Sequence, residues 1–234
     1  YIERLGTEEQ KERFLPPCVS GEKILAVAMS EPDAGSDLSG MRSTLTPDGD
    51  DFILRGNKTY ISNGINADLI VVAAKTVPND NKHAMTLCMV EADMAGFKRG
   101  KNLEKMGLKG QDTAELFFDN VRIPKENILG EAGKGFHYLM AGLAEERLIV
   151  ACQSAANARH AFDVTRKFVM ERRAFGKPLS AFQNTQFKMA EMDAEIDMLQ
   201  AYIDHCVQLN NSGKLTVNSG AKVKLLATEI EWKM

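Results

Sequence analysis

Ala28-Met29-Ser30-Glu31-Pro32-Asp33-Ala34-Gly35-Ser36-Asp37 follows directly on the apolar run Ile24-Leu25-Ala26-Val27. The switch from apolar residues to hydroxyls, a Glu-Pro step and a glycine reads as a strand opening into a tight polar loop. Such a loop lets backbone and hydroxyl groups approach a flat or phosphorylated ligand closely. A plain surface turn has the same composition, so the loop alone does not choose. The choice narrows one hairpin further on, at Lys58-Thr59-Tyr60-Ile61-Ser62-Asn63-Gly64. In a strand, Tyr60 and Ser62 share one face, offering a ring to pack on and a short donor to the edge of a flat aromatic ligand. An exposed Tyr/Ser strand face is the plainer reading of the pair.

Both loops sit in a β zone, residues 23–130. Short apolar or alternating runs fall at Ile24–Ala28, Phe52–Gly56, Leu69–Ala74, Met85–Val90, Glu115–Phe118 and Val121–Pro124. Turn signals at Pro47-Asp48-Gly49-Asp50, Pro78-Asn79-Asp80-Asn81 and Met94-Ala95-Gly96 separate them, which suggests a barrel or sandwich. Residues 1–22 read as the end of an N-terminal helical domain, closed by Pro16-Pro17 and lacking a start signal. From residue 131 onward the period becomes helical, with helices expected at 134–158, 158–174, 180–211 and 216–234. The fold class is therefore α+β, a middle β domain followed by an α-helical bundle domain. The chain opens at Tyr1 in a charged stretch and ends at Met234 in an amphipathic one, so a piece of a longer protein is expected.

Of 234 residues, 44% are hydrophobic and 26% charged, and the net charge is -3. That is the composition of a globular chain with a real core. Without a basic block, nucleic acid has little to bind, and no apolar run is long enough to span a bilayer. Cys18, Cys88, Cys152 and Cys206 are far apart and have no His at metal-ligand spacing. They read as buried thiols in a reducing compartment, with no metal site.

Three further stretches could carry chemistry. Gly130-Glu131-Ala132-Gly133-Lys134-Gly135 is rich in glycine but fits neither GxGxxG nor Walker spacing, and a turn before a helix explains it equally. Glu145-Glu146-Arg147 interrupts an apolar helix, and adjacent residues there diverge by about 100°. One carboxylate then faces inward, either as a buried Glu–Arg pair or as a base whose pKa an apolar cleft raises. Arg172-Arg173-Ala174-Phe175-Gly176 ends a helix with two cations, which suit a helix C-terminus or a pyrophosphate. His83, His137, His160 and His205 are scattered.

In this order the pieces resemble the acyl-CoA dehydrogenase family, across essentially the whole chain. Met29–Asp37 is similar to its first flavin loop and Tyr60–Gly64 to its second. Lys105-Met106-Gly107-Leu108 with Thr113-Ala114-Glu115-Leu116 and Val121-Arg122-Ile123-Pro124 matches its β-domain end. Arg172–Lys177 with Gln183 and Lys188-Met189-Ala190 matches its helical signature. The run from Lys105 to Leu116 and the Glu146-Arg147 pair look most like the long-chain branch, then the isovaleryl branch.

The resemblance implies FAD held by Val27, Met29, Ser30, Gly35, Ser36, Tyr60, Ile61 and Ser62, with Tyr60 and Ser62 where many members carry Trp and Thr. It implies that Arg172, Phe175 and Gln183 hold the far end of a neighbouring subunit's FAD, in a homotetramer or homodimer. Ser36, His137, Ala144 and Arg147 would meet the acyl-CoA substrate. Glu146 would be the base, with Glu145 an exposed neighbour. The implied reaction is α,β-dehydrogenation of a fatty or branched acyl-CoA to trans-2-enoyl-CoA, with electrons passed to an electron-transfer flavoprotein in bacterial cytoplasm or mitochondrial matrix. The alternatives are a flavin oxidase or monooxygenase of the same fold and a non-catalytic binding module.

Overall fold

Residues 1–78, 81 and 83–234 are described in the computed structural model, and they divide into two units, 1–138 and 139–234. Asn79 and Asp80 of the expected turn at 78–81 lie outside the described residues. The first unit opens with α1 (Ile2–Leu5) and α2 (Glu8–Val19). Contrary to expectation, α2 has a start signal: Thr7 and Gln10 form a reciprocal capping box, which satisfies two amides that a helix start would otherwise leave unpaired. Nor do Pro16 and Pro17 close it, because the helix runs through both to Val19. The cap also anchors the helix, since Gln10 Nε2 donates to the carbonyls of Glu126 and Ile128 at 2.7 Å each.

Eight strands follow: β1 (Leu25–Ala28), β2 (Thr44–Asp48), β3 (Asp51–Ser62), β4 (Leu69–Thr76), β5 (Met85–Glu91), β6 (Phe97–Asn102), β7 (Thr113–Ile123) and β8 (Ile128–Leu129). They make one mixed sheet in the order β6-β7-β3-β2-β4-β5-β8, with β1 added parallel to β4. The path has two ends, so the sheet is sandwich-like and is not a closed barrel. β4 and β5 are buried along nearly their whole length, as their continuous apolar runs require. Their side chains join Leu45, Leu54, Leu116, Val121 and Ile123 in the core of this unit.

β3 and β7 depart most from a regular ladder. Leu54 pairs with Val121 but Gly56 with Phe118, so β7 carries one extra residue there. Lys58 pairs with Leu116 but Ile61 with Ala114, so β3 carries the extra residue at the second site. Asn120 and Tyr60, at these two bulges, have φ of 53° and 58°. Each bulge switches which residues face inward: Leu54 and Lys58 are buried before the second bulge, Thr59 and Ile61 across and after it. This is why Glu115–Phe118 and Val121–Ile123 read as two strands in the sequence although they are one.

The second unit contains three helices where four were expected. α3 (Gly135–Glu171), which starts at the end of the first unit, runs without a break at Ala158. A two-stranded hairpin of β9 (Arg173–Ala174) and β10 (Lys177–Pro178) leads to α4 (Gln183–Asn211) and α5 (Val217–Lys233). Leu148, Ala151 and Ala155 of α3 pack with Leu199, Ile203 and Cys206 of α4 and Val223 and Ala227 of α5. The small residues allow close approach. Arg159 ties α3 to Asp193 and Asp197 of α4 at 2.8 and 2.5 Å, and Lys233 ties α5 to Glu191 and Glu195.

Cys88 and Cys206 are buried as expected, but Cys18 is half-buried and Cys152 exposed. Burial pushes the Cys88 thiol up to about 12. Among the described residues, no helix is long and apolar enough to cross a membrane. α5 approaches α3 closely at Gly220. A Cβ on Gly220 would lie 2.7 Å from the Ala144 carbonyl oxygen and 3.0 Å from its Cα. Because both obstacles are backbone, Gly220→Ala should force α5 off α3 and cost about 1–3 kcal/mol, read as a lower denaturation midpoint.

Candidate functional site

β1 delivers the first loop. Asn63 Nδ2 donates to the Leu25 carbonyl (3.2 Å) at its start, and the Ile24 N–H donates to Asp68 (2.8 Å). Val27, Met29 and Ser30 are half-buried, and the chain then turns through a bridge between Glu31 and Ala34. Gly35 and Ser36 are exposed, and a Cβ built on Gly35 meets no heavy atom within 4 Å. Asp37 closes the loop by accepting the N–H (2.9 Å) and hydroxyl (2.5 Å) of Ser39.

Glu31, in the middle of this loop, points inward. Its side chain is 4% exposed and meets Lys58, 0% exposed, at 2.8 Å. Lys58 Nζ also donates to the Met29 carbonyl (2.9 Å). Glu31 further accepts the N–H groups of Arg42 (2.5 Å) and Ser43 (3.0 Å). Burial pushes the Glu31 carboxyl up, but the Lys58 ammonium and the amide donors outweigh it and leave it below the ordinary carboxylate value. Burial likewise pushes Lys58 down, and Glu31 only partly restores it. The Thr59 N–H donates to the Ser30 carbonyl (2.9 Å) and completes the seam between the two loops.

Beyond the seam the β3 bulge turns Tyr60 outward, with the residue 71% exposed. Ser62 is exposed on the same side, while Ile61 between them is buried. The turn after Ser62 is held by Asp112, which accepts the Ile65 N–H (2.6 Å) and Asn66 Nδ2 (2.7 Å) through its carboxylate. Its backbone carbonyl accepts the Asn63 N–H (3.1 Å). The structure thus brings Val27 to Ser36 and Tyr60 to Ser62 together, and it adds Glu31, Lys58 and Asp112, whose roles the sequence reading missed. No local pattern links a glutamate to a lysine 27 positions on.

The Gly130–Gly135 stretch is a turn into α3. The Gly133 N–H donates to Thr86 Oγ1 (2.9 Å) and Lys134 pairs with Glu131 (2.7 Å), so these groups are engaged within the chain itself. Just beyond it His137 is exposed, its ring 6.1 Å from that of Tyr138.

In the second unit, Ala144 is buried and its backbone faces Gly220. Glu146 lies two residues further round α3, about 200° from Ala144, and so on the side turned away from α5. It is half-buried, as is Arg147; Glu145, expected to be exposed, is half-buried too. At the other end of α3 the chain reverses through Phe175 and Gly176, with φ of 51° and 79°, the left-handed pair that a two-residue hairpin needs. The Arg172 carbonyl accepts the Leu179 N–H (2.8 Å) across this hairpin. Phe175 stands 95% exposed at the tip, 6.3 Å from Phe182. Gln183 opens α4 directly after Phe182, and Arg172, Phe175 and Gln183 are all exposed.

A sheet that presents two internally braced loops, followed in the chain by long packed helices, defines an α+β protein, and comparison with known proteins narrows the class. The family profile "Acyl-CoA dehydrogenase, middle domain" matches residues 26–121, and "Acyl-CoA dehydrogenase, C-terminal domain" matches 133–234. The chain belongs to the acyl-CoA dehydrogenase family. It is 43% identical to the mitochondrial long-chain specific acyl-CoA dehydrogenase of Rattus norvegicus, over 99% of this chain and 54% of that protein. It is 38% identical to the mitochondrial isovaleryl-CoA dehydrogenase of Solanum tuberosum, over 97% of this chain and 55% of that one. A solved acyl-CoA dehydrogenase from Geobacillus kaustophilus superposes with a TM-score of 0.96 at 48% identity, covering 100% of this chain and 62% of that one. A glutaryl-CoA dehydrogenase from Mycobacterium smegmatis, solved in complex with FADH2, gives 0.90 at 31% identity, covering 98% and 58%. The chain spans about half the length of the curated relatives it matches.

Two outcomes test the bracing. Asp112→Ala strands two donors that are partly buried, so it should destabilise by about 1–3 kcal/mol, measured by chemical denaturation. Glu31 has a lowered carboxyl pKa in the fold, so its contribution is present above the unfolded carboxylate value and is lost as pH falls through the folded one. The melting temperatures of wild type and Glu31→Gln should therefore converge below about pH 4.

Proposed function

We propose that the protein is an FAD-dependent acyl-CoA dehydrogenase that converts an acyl-CoA thioester to trans-2-enoyl-CoA and passes the electrons to an electron-transfer flavoprotein. The observation that carries this reading is the braced pair of loops, which leaves Tyr60 and Ser62 exposed side by side and the space over Gly35 open. These residues suit a flat heterocycle: the Tyr60 ring offers a packing surface, Ser62 a hydroxyl donor, and Ser30 to Ser36 a small-residue wall. The FADH2 complex of a relative supports the same choice of group.

Bound flavin supplies the acceptor for the hydride that the substrate's β-carbon gives up. The chain's own part begins with the α-proton, which is too weakly acidic to leave unaided. We assign its removal to the Glu146 carboxylate, held on rigid α3 and half-withdrawn from water, with Arg147 beside it in sequence. His137, Ala144, Ser36 and Arg147 are the proposed substrate contacts. Arg172, Phe175 and Gln183 are assigned to the FAD of a neighbouring subunit, in a homotetramer or homodimer. Residues 1–22 are taken as the end of an N-terminal helical domain. The mitochondrial and bacterial sources of the relatives favour mitochondrial matrix or bacterial cytoplasm.

In the full-length protein, Glu146→Gln should lower turnover by about 10²–10⁴-fold with flavin binding unchanged, while Glu145→Gln stays near wild type. Retained activity in Glu146→Gln would remove Glu146 as the base. Peroxide release without an added electron acceptor would identify an oxidase, and a colourless full-length protein a binding module.

A further inference from the structure

Lys58 is an unusual residue to place in a sheet core. A buried ion pair is a poor source of stability, since apolar residues of similar volume often serve as well or better. What the pair supplies that an apolar contact does not is direction. Lys58 Nζ fixes the Met29 carbonyl (2.9 Å) and the Glu31 carboxylate (2.8 Å). Glu31 fixes the N–H groups of Arg42 and Ser43. Lys58 therefore holds the start of the loop from Met29 to Ser43 and, through Glu31, its end, and the backbone between forms no strand between β1 and β2. The same Lys58 is the last residue of β3 in register before the bulge. Its burial fixes the point at which the strand changes face and turns Tyr60 outward.

We propose that Lys58 and Glu31 are positioning residues for the ligand-facing loops, setting the spacing between the Ser30–Ser36 wall and the Tyr60–Ser62 edge. This rests on the flavin reading above. Removing the pair should leave the sheet folded but the two walls loosely held, so that the cofactor binds more weakly and in a less ordered setting.

The experiment uses the full-length protein with Lys58→Met and with Glu31→Gln/Lys58→Met. The single variant strands a buried carboxylate, whereas the double variant removes both charges and keeps an acceptor for the Arg42 and Ser43 amides. Three readouts are compared: melting temperature, amide exchange by segment, and FAD affinity with the fine structure of the bound flavin's absorption band. The double variant should melt near wild type. Its amides from Glu31 to Ser43 and from Thr59 to Asn63 should exchange about tenfold faster, with β4 and β5 unchanged. FAD affinity should fall by about tenfold or more, and the band should lose structure. Wild-type exchange and affinity in the double variant would overturn the proposal, because the pair would then be dispensable. Uniformly faster exchange, or failure to fold, would overturn it as well, because the pair would then carry the whole sheet. A wild-type protein that takes up no FAD would overturn the flavin reading alone, since segmental exchange still decides whether Lys58 orders the loops.

Discussion

β3 and β7 pair from Phe52 and Ile123 to Ser62 and Thr113, and their two bulges cancel. An extra residue on β7 near Asn120 shifts the register by one, and an extra residue on β3 near Tyr60 restores it. Between the bulges, Gly56 to Lys58 oppose Phe118 to Leu116 in the shifted register. That short stretch is the constraint on which the placement of Tyr60 and Ser62 depends. At its end the Lys58 side chain is fully buried, and the return to register is what exposes Tyr60 and Ser62. Shifting a strand by one residue would ordinarily turn its whole inward-facing set of side chains to the other face. Here the shift lasts only a few residues, so Leu54, Ile61, Leu116 and Val121 all stay buried.

The polar braces are all consequences of this geometry. A lysine with 0% exposure needs acceptors within reach, and the first loop supplies them from Met29 and Glu31. The turn beyond Ser62 needs acceptors for its amides, and Asp112 at the foot of β7 supplies them. The side chains facing outward are then free of structural duty. Tyr60, Ser62, Gly35 and Ser36 are exposed, and on the flavin reading that leaves them available to the cofactor.

Much of this was legible in the sequence, for physical reasons that differ from element to element. The apolar runs of β4 and β5 announce themselves because both faces are covered. The polar turn after Ala28 and the small residues from Ser30 to Ser36 mark the loop directly. β6, with the sequence Phe97-Lys98-Arg99-Gly100-Lys101-Asn102, was missed because an exposed end strand carries no apolar alternation. β7 read as two strands because its bulge breaks the period of two. The break expected at Ala158 is absent because Ala151, Ala155 and Ala158 are excellent helix formers that also pack. Lys58 and Glu31 could not be joined from sequence at all, because only the folded sheet brings positions 27 apart into contact.

α3 sets a length scale for the second unit. From Glu146 to its end at Glu171 it rises by about 38 Å, more than the breadth of a small domain. Arg172 follows immediately, so on the proposed assignments one chain carries its base and its pyrophosphate grip too far apart to serve a single centre. Each centre would then be assembled from two copies. Defects at the two ends of α3 would be separable in mixed assemblies: a chain altered only at Glu146 and a chain altered only at Arg172 could together form some intact centres that neither forms alone.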